Sequence, residues 1–190
     1  MVVEKLTTVA DIQTIRHTLD NLFQETPTSE YLFRPSRFAP ELLDTLAFRQ
    51  CWRIARQVLG ITALRSFDSA IYKHPHKDSG TPWHQDQAYN KTHRESSAPL
   101  PTVHFWIPLQ AVTYANGCLQ FIPNSHHSVL RHDPMPDNPT MLTALKVDTQ
   151  KAITCPLQVG DATMHVGTTL HCAPPNKTET TRRAFTLVFR

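Results

Sequence analysis

His84-Gln85-Asp86 sets an imidazole and a carboxylate two residues apart. Side chains at i and i+2 of an extended strand point to the same face, so His84 and Asp86 can offer nitrogen and oxygen to one metal ion. Gln85, between them, faces the other way and is read as a structural residue. The third ligand has to return from elsewhere, and two histidines compete for that place, His165 and His171, both following a Gly160-Asp161 turn. Two His and one carboxylate on one side of an ion leave its other positions open, the arrangement used by non-haem Fe(II) oxygenases. The same donors with a bound water make a catalytic zinc set, so a zinc hydrolase is the alternative enzyme. A non-catalytic jelly roll that binds a small ligand, with the His-Asp pair incidental, is a third reading.

A series of further motifs follows in one order. Thr81-Pro82-Trp83-His84-Gln85-Asp86 with Tyr89 comes first, then Trp106 to Pro108. Asn116-Gly117-Cys118-Leu119 leads to Ile122-Pro123-Asn124-Ser125-His126, and Gly160-Asp161, His165, His171, Pro175-Asn176 and Arg182 close the series. Together they resemble the phytanoyl-CoA dioxygenase family of Fe(II)/2-oxoglutarate oxygenases, from Ile71 to Phe189. The resemblance implies a non-haem dioxygenase using Fe(II), 2-oxoglutarate and O₂. Such an enzyme oxidises, most simply by hydroxylation, an unactivated C–H bond of a small-molecule metabolite and converts 2-oxoglutarate to succinate. A natural-product intermediate is the substrate type this suggests.

The resemblance also assigns residues. It selects His171 over His165, because the family's ligand histidine precedes a Pro-Asn or Gln-Asn step and an arginine eleven positions on, here Arg182. His84, Asp86 and His171 are then the metal ligands, and His165 a neighbour that orients one of them by hydrogen bond. Arg182 is expected to hold the distal carboxylate of 2-oxoglutarate, since a guanidinium fork matches a carboxylate in two parallel hydrogen bonds. Arg183 points to the opposite face and cannot share the task. Trp106 is placed beside the co-substrate, and Ser69, aligned through Lys73 and the following proline, lines the same pocket. One position departs from the family: Ala173 stands where a serine often helps the arginine, leaving Thr102, Thr169 and Thr186 as candidate hydroxyls. Family halogenases replace the ligand carboxylate with a small residue, so Asp86 argues for hydroxylation or another oxidation.

The elements that must position these groups are legible as patterns. Thr8-x-x-Asp11 opens a segment with Ile12, Ile15, Leu19 and Leu22 at helical spacing, a capping-box-like entry. Pro40 is expected to start a second helix, with Leu43, Leu46, Ala47, Ile54 and Val58 on one face and Gly60 at its end. Arg49, Arg53 and Arg56 form its solvated side. From Ile61 the pattern changes to short β-rich runs: 61–73, 103–109, 118–122, 152–157, 162–166 and 184–189. Asn116-Gly117 predicts a two-residue hairpin turn, and Pro108 predicts an edge or bulge. The expected architecture is mainly β, a double-stranded β-helix (cupin-like jelly roll) with N-terminal helices packed on one sheet. It forms a single oxygenase domain over 1–190, with 1–60 as helical support and 61–190 as catalytic core. Residues 87–102 and 128–151 read as long loops capping the substrate pocket, the second too proline-rich to pair in a sheet.

Composition agrees with a folded protein: 40% hydrophobic and 18% charged residues over a length of 190. A net charge of +3, with dispersed Lys and Arg, implies no nucleic-acid partner. Cys51, Cys118, Cys155 and Cys172 are far apart and form neither a zinc knuckle nor a disulfide framework. The amino terminus lacks a signal-peptide pattern and no apolar run is long enough to span a bilayer, so a cytoplasmic protein without a membrane partner is expected.

Overall fold

The computed structural model describes residues 1–25, 29–76, 80–89 and 101–190. In chain order its elements are β1 (Val2–Val3), α1 (Val9–Gln24), β2 (Tyr31–Phe33), α2 (Leu46–Leu59), β3 (Arg65–Lys73), β4 (Thr81–His84), β5 (Val103–Pro108) and β6 (Gln120–Phe121). They continue with β7 (His132–Met135), β8 (Asn138–Ala144), β9 (Ile153–Thr154), β10 (Ala162–Val166), β11 (His171–Ala173) and β12 (Arg182–Phe189). Six strands form one antiparallel sheet in the order β1-β10-β5-β12-β3-β2, and four form a second in the order β4-β11-β6-β9. The two sheets face each other across a cavity lined by residues of both. The fold is a mainly β jelly roll, as the sequence pattern predicts.

Strand alternation divides the large sheet between two jobs. Val103, Phe105 and Ile107 of β5 and Phe185, Leu187 and Phe189 of β12 are fully buried against Ile12, Ile15 and Leu19 of α1 and Ala47, Cys51 and Ala55 of α2. The small residues of α2 recur every four positions, which lets that helix sit close to the sheet. His104 and Trp106 of β5 and Arg182 and Thr186 of β12 fall on the opposite face and line the cavity. The apolar helix-facing layer makes a rigid floor for a polar site.

The helix ends differ from expectation in an informative way. Thr8 does cap α1, its hydroxyl accepting the Asp11 N–H. Asp11 completes no reciprocal box; its carboxylate accepts the N–H groups of Leu46 and Ala47 at 2.9 and 2.8 Å, capping α2 instead. Pro40 opens a 3₁₀ turn (Pro40–Leu43), and α2 begins only after Thr45, whose hydroxyl accepts the Phe48 N–H. The buried residue of that turn is Leu42 rather than Leu43, and Val58 is exposed.

Three loop expectations are corrected. Asn116-Gly117 is not a two-residue hairpin: Tyr114–Asn116 form a 3₁₀ turn closed by Gly117 at φ 87°, ψ 46°. The strands it joins, β5 and β6, belong to different sheets, so a tight hairpin would not reach. Pro108 lies at neither an edge nor a bulge but at the end of a central strand. The Leu109 N–H bonds Arg183 in β12, so the Pro108 nitrogen faces β10, whose pairing with β5 has stopped at Trp106. Residues 128–151 do pair: β7 and β8 make a two-stranded ribbon containing Pro134 and Pro139. Each strand of such a ribbon has an open side where a proline nitrogen needs no partner. Within 87–102, residues 90–100 lie outside the described residues.

Candidate metal centre and co-substrate pocket

β4 ends at His84, and a 3₁₀ turn (Asp86–Tyr89) begins two residues later. The convergence of His84 and Asp86 is therefore made by a strand-to-turn transition, not by alternation along one strand. Gln85, fully buried, holds that transition. Its Nε2 donates to the carbonyls of Ser128 and Thr168, and its Oε1 accepts the Leu130 N–H at 2.8 Å. Three chain segments are thereby fixed around the site by one side chain.

His171 is the direct cross-strand partner of His84, and their rings lie 4.1 Å apart. His84 Nδ1 donates to the Pro82 carbonyl at 2.9 Å and His171 Nδ1 to the Thr169 carbonyl at 3.0 Å. A carbonyl can only accept, so both rings carry the proton on Nδ1 and leave the Nε2 lone pair for a ligand. Those Nε2 atoms stand 3.4 and 3.8 Å from the Asp86 carboxylate. Donors sharing one ion at bonds of about 2.0–2.2 Å are spaced on this scale. The ligating atoms of His84, Asp86 and His171 all lie within 4.8 Å of one another.

A second trio, Asp86, His104 and His165, meets the same limit. Its geometry is that of hydrogen bonding: His104 Nδ1 and His165 Nε2 lie 2.9 and 3.2 Å from Asp86 Oδ2. These two imidazoles engage Oδ2, while Oδ1 faces His84. Burial would raise the Asp86 carboxyl, but the surrounding histidines, His104 first, hold it well below the usual carboxylate range. Burial also keeps His171 far below the ordinary imidazole range, with His84 adding to the effect, so its lone pair stays available. For His84 burial pulls down, and the Asp86 carboxylate overrides it upward. His165 is the hydrogen-bonding neighbour the sequence suggests. His104 was not anticipated, although period-two spacing from Trp106 places it on the same face.

Arg182 is 1% exposed, and its guanidinium lies over the Trp106 ring at 5.2 Å. Its Nε and Nη1 are buried without a hydrogen-bond partner among the described residues. Burial pushes its pKa down to about 10. Arg183 takes the other face, bonding Asp20 through Nε at 2.8 Å and stacking on Tyr72. Ser69 hydrogen-bonds Thr186 across β3 and β12, and both line the cavity. Of the other candidate hydroxyls, Thr102 lines the cavity and contacts His104 at 2.9 Å, while Thr169 serves His171 through its carbonyl.

The cavity measures about 780 Å³. Beyond the polar groups its walls carry Tyr31, Phe33, Phe67 and Tyr89, with Asn138, Thr140 and Met141 from the β7–β8 ribbon. That ribbon is tied to the segment carrying His84 and Asp86, since Tyr89 OH accepts the Leu142 N–H at 2.9 Å and His132 Nε2 accepts the Gln85 N–H at 3.1 Å. None of the aromatic wall residues except Tyr89 was singled out from the sequence.

The sequence model of the phytanoyl-CoA dioxygenase (PhyH) family matches residues 4–184. The chain belongs to the phytanoyl-CoA dioxygenase family. Its cofactor set is Fe(II), 2-oxoglutarate and O₂. The phytanoyl-CoA dioxygenase domain-containing protein 1 homolog of Dictyostelium discoideum is 30% identical over 116 residues, 56% of this chain. That match spans only 39% of the relative's length. The crystal structure of EvdO2 from Micromonospora carbonacea var. aurantiaca, complexed with 2-oxoglutarate, is similar at TM-score 0.88 and 29% identity, covering 99% of this chain and 84% of that one. SnoK, described as a non-haem α-ketoglutarate-dependent carbocyclase from nogalamycin biosynthesis, is similar at TM-score 0.78 and 20% identity, covering 100% and 78%. At that identity it speaks for the fold alone.

The side chains of this phytanoyl-CoA dioxygenase family member fit iron and 2-oxoglutarate on two observations. Two imidazoles whose Nδ1 atoms are committed to backbone carbonyls and a carboxylate converge. A buried guanidinium with unused donors lines the same cavity, the chemistry a dicarboxylate requires. The four cysteines are free, and no helix among the described residues is long and apolar enough to cross a membrane.

Proposed function

We propose that the chain is a 2-oxoglutarate-dependent oxygenase that hydroxylates a C–H bond of a small or medium-sized metabolite, such as a natural-product intermediate. The observation that carries this reading is the placement of Arg182, with its unpartnered Nε and Nη1, in the cavity where His84, Asp86 and His171 converge. Bound Fe(II), with 2-oxoglutarate and O₂, would supply the oxidising power and leave succinate and CO₂. His84, Asp86 and His171 would hold the iron, and Arg182 the distal carboxylate of the co-substrate, with Trp106 packed beside it and Ser69 lining the pocket.

The remaining work falls to positioning and exclusion. His104 and His165 restrain Asp86 Oδ2, so that Oδ1 is the oxygen presented toward His84. Gln85 keeps both ligands of the loop in register with the loop before His171. The aromatic wall and the β7–β8 ribbon would seat the substrate's apolar surface and keep water from the reacting bond. A cavity of about 780 Å³ has room for a medium-sized molecule beside the co-substrate.

The test is succinate release from 2-oxoglutarate by the purified chain with Fe(II), followed by mass spectrometry of a metabolite extract for products heavier by one oxygen. Succinate that depends on Fe(II) supports the oxygenase. Turnover of an ester or amide with zinc alone, and no succinate with iron, would replace it with the hydrolase.

A further inference from the structure

We propose that the groove along the outer side of α2 is a docking site for an acidic amphipathic helix of a partner protein. The groove, about 300 Å³, is lined by Arg49, Trp52, Arg53, Arg56 and Gln57 of α2 and by Ile61 just beyond it. The other side of the helix, with Ala47, Cys51 and Ala55, is buried against the large sheet, whose far face lines the cavity. Helix and sheet therefore separate the groove from the candidate metal centre, and the proposal stands independently of the oxygenase reading.

α2 is a 14-residue helix with three arginines and no Asp or Glu. The arginines stand at i, i+4 and i+7, in one stripe about 10 Å long. Like charges at this spacing destabilise a helix rather than support it. The ion pairs among the described residues include none of the three. Arg49 Nη1 donates to the Asp44 carbonyl at 2.8 Å and Arg56 lies over the Trp52 ring at 5.5 Å, so neither is met by a negative charge. On α1, by contrast, the signs are mixed, and Arg16 pairs with Asp20 one turn on at 3.5 Å. Solvation alone accounts for the α1 surface; the α2 stripe carries uncompensated charge that a partner can use.

Beside the stripe lies an apolar patch. Trp52 is 39% exposed and Ile61 77%, and Trp52 Nε1 donates to the Ala63 carbonyl at 3.0 Å, which pins the ring to the loop carrying Ile61. A fixed tryptophan rimmed by arginines has the composition of a binding hot spot. Charge complementarity selects the occupant: carboxylates at i, i+4 and i+7 of a second helix match the guanidinium row in length and spacing, with one apolar side chain resting on Trp52 and Ile61. A nucleic acid is the poorer match. The Arg56 guanidinium already occupies a face of the Trp52 ring on which a base would stack, and a row of three charges is short for a phosphate backbone.

The test is fluorescence anisotropy of a labelled helical peptide, with three glutamates at i, i+4 and i+7 and a leucine at i+3, titrated with the full chain in low salt. The controls are the same residues scrambled so that the glutamates scatter round the helix, a peptide with glutamine for each glutamate, and oligothymidylate. We expect the patterned peptide to bind and the scrambled one to bind at least about 5-fold more weakly, since only the pattern aligns all three pairs. Replacing Arg49, Arg53 and Arg56 together by Gln should weaken the patterned peptide roughly 10- to 100-fold, the sum of three exposed ion pairs. That variant should unfold at a temperature no lower than the wild type, because like charges on the helix are relieved. Ile61→Ser should weaken binding about 3-fold through the lost apolar contact. Arg53→Glu should reject the patterned peptide and recover binding when its middle glutamate is a lysine, which places the peptide in the groove. Equal binding of the scrambled or the glutamine peptide overturns the proposal, as does a patterned peptide that does not bind. Oligothymidylate bound more tightly than the peptide, and lost in the triple variant, would make the groove a nucleic-acid site instead.

Discussion

Replacing Arg182 by methionine should move stability and co-substrate affinity in opposite directions. The guanidinium is 1% exposed, with Nε and Nη1 unpartnered. Burial pushes its pKa down to about 10, which corresponds to a net penalty on the buried cation of about 3 kcal/mol. Against this stands the contact with the Trp106 ring, worth about 0.5–2 kcal/mol. Methionine fills much of the same volume without a charge. The ligand-free variant should therefore match the wild type or exceed it by about 1–2 kcal/mol, which for a chain of this size raises Tm by about 2–8 °C. Affinity for 2-oxoglutarate should fall, because truncating one side of a buried charge pair costs about 2–5 kcal/mol, or roughly 30- to 4,000-fold. Calorimetric titration with 2-oxoglutarate and thermal unfolding without it read the two effects separately. A ligand-free variant that loses more than about 2 kcal/mol, beyond the ring contact just given, would mean that Arg182 is a structural residue. An unchanged 2-oxoglutarate affinity would remove it from the co-substrate site.

Three further outcomes are expected. His165→Leu removes one of the two imidazoles on Asp86 Oδ2 and, with it, a buried Nδ1 that has no partner among the described residues; metal affinity by titration should weaken about 10- to 100-fold while the fold holds. Gly167→Ala would drive a Cβ into Thr102 Oγ1 and to 3.2 Å from His104 Nε2. Unfolding should show a loss of about 1–3 kcal/mol, and Fe(II) affinity should drop because His104 is displaced from Asp86. Asp11→Ala removes the acceptor of the Leu46 and Ala47 N–H groups at the start of α2, leaving only the Thr45 cap, and should cost about 0.5–2 kcal/mol in denaturant unfolding. Binding of 2-oxoglutarate per folded molecule should be unchanged in that variant, since Asp11 serves the outer face of the sheet.

Local pattern was a good guide where the backbone imposes its own period. Alternation along β12 separates Arg182 from Arg183, and the structure sends one into the cavity and the other to Asp20. The buried stripe of α1, Ile12, Ile15 and Leu19, follows from a 3.6-residue repeat. Pattern misled where the partner of a turn or cap lies far away. Asn116-Gly117 has the composition of a hairpin, yet its flanking strands pair with different sheets. Asp11 stands in a capping position for its own helix and caps another. Proline density suggested an unpaired 128–151 segment, because a sequence does not reveal that a ribbon will have only two strands.

By itself the sequence determined the chemistry on offer: two histidines and a carboxylate as an ion-binding set, an arginine on the matching face of the last strand, and a β-rich chain with two helices ahead of it. Apart from the choice of His171 over His165, which the family resemblance implies, these are properties of residue type and short-range geometry. Only the tertiary structure decided that His104 and His165 meet at Asp86 Oδ2, that the β7–β8 ribbon forms a wall of the cavity, and that Lys73 faces Arg182. Each depends on the register between strands far apart in the chain. Register is fixed by the collective packing of both sheets, and a shift of one residue would turn every one of these side chains to the opposite face.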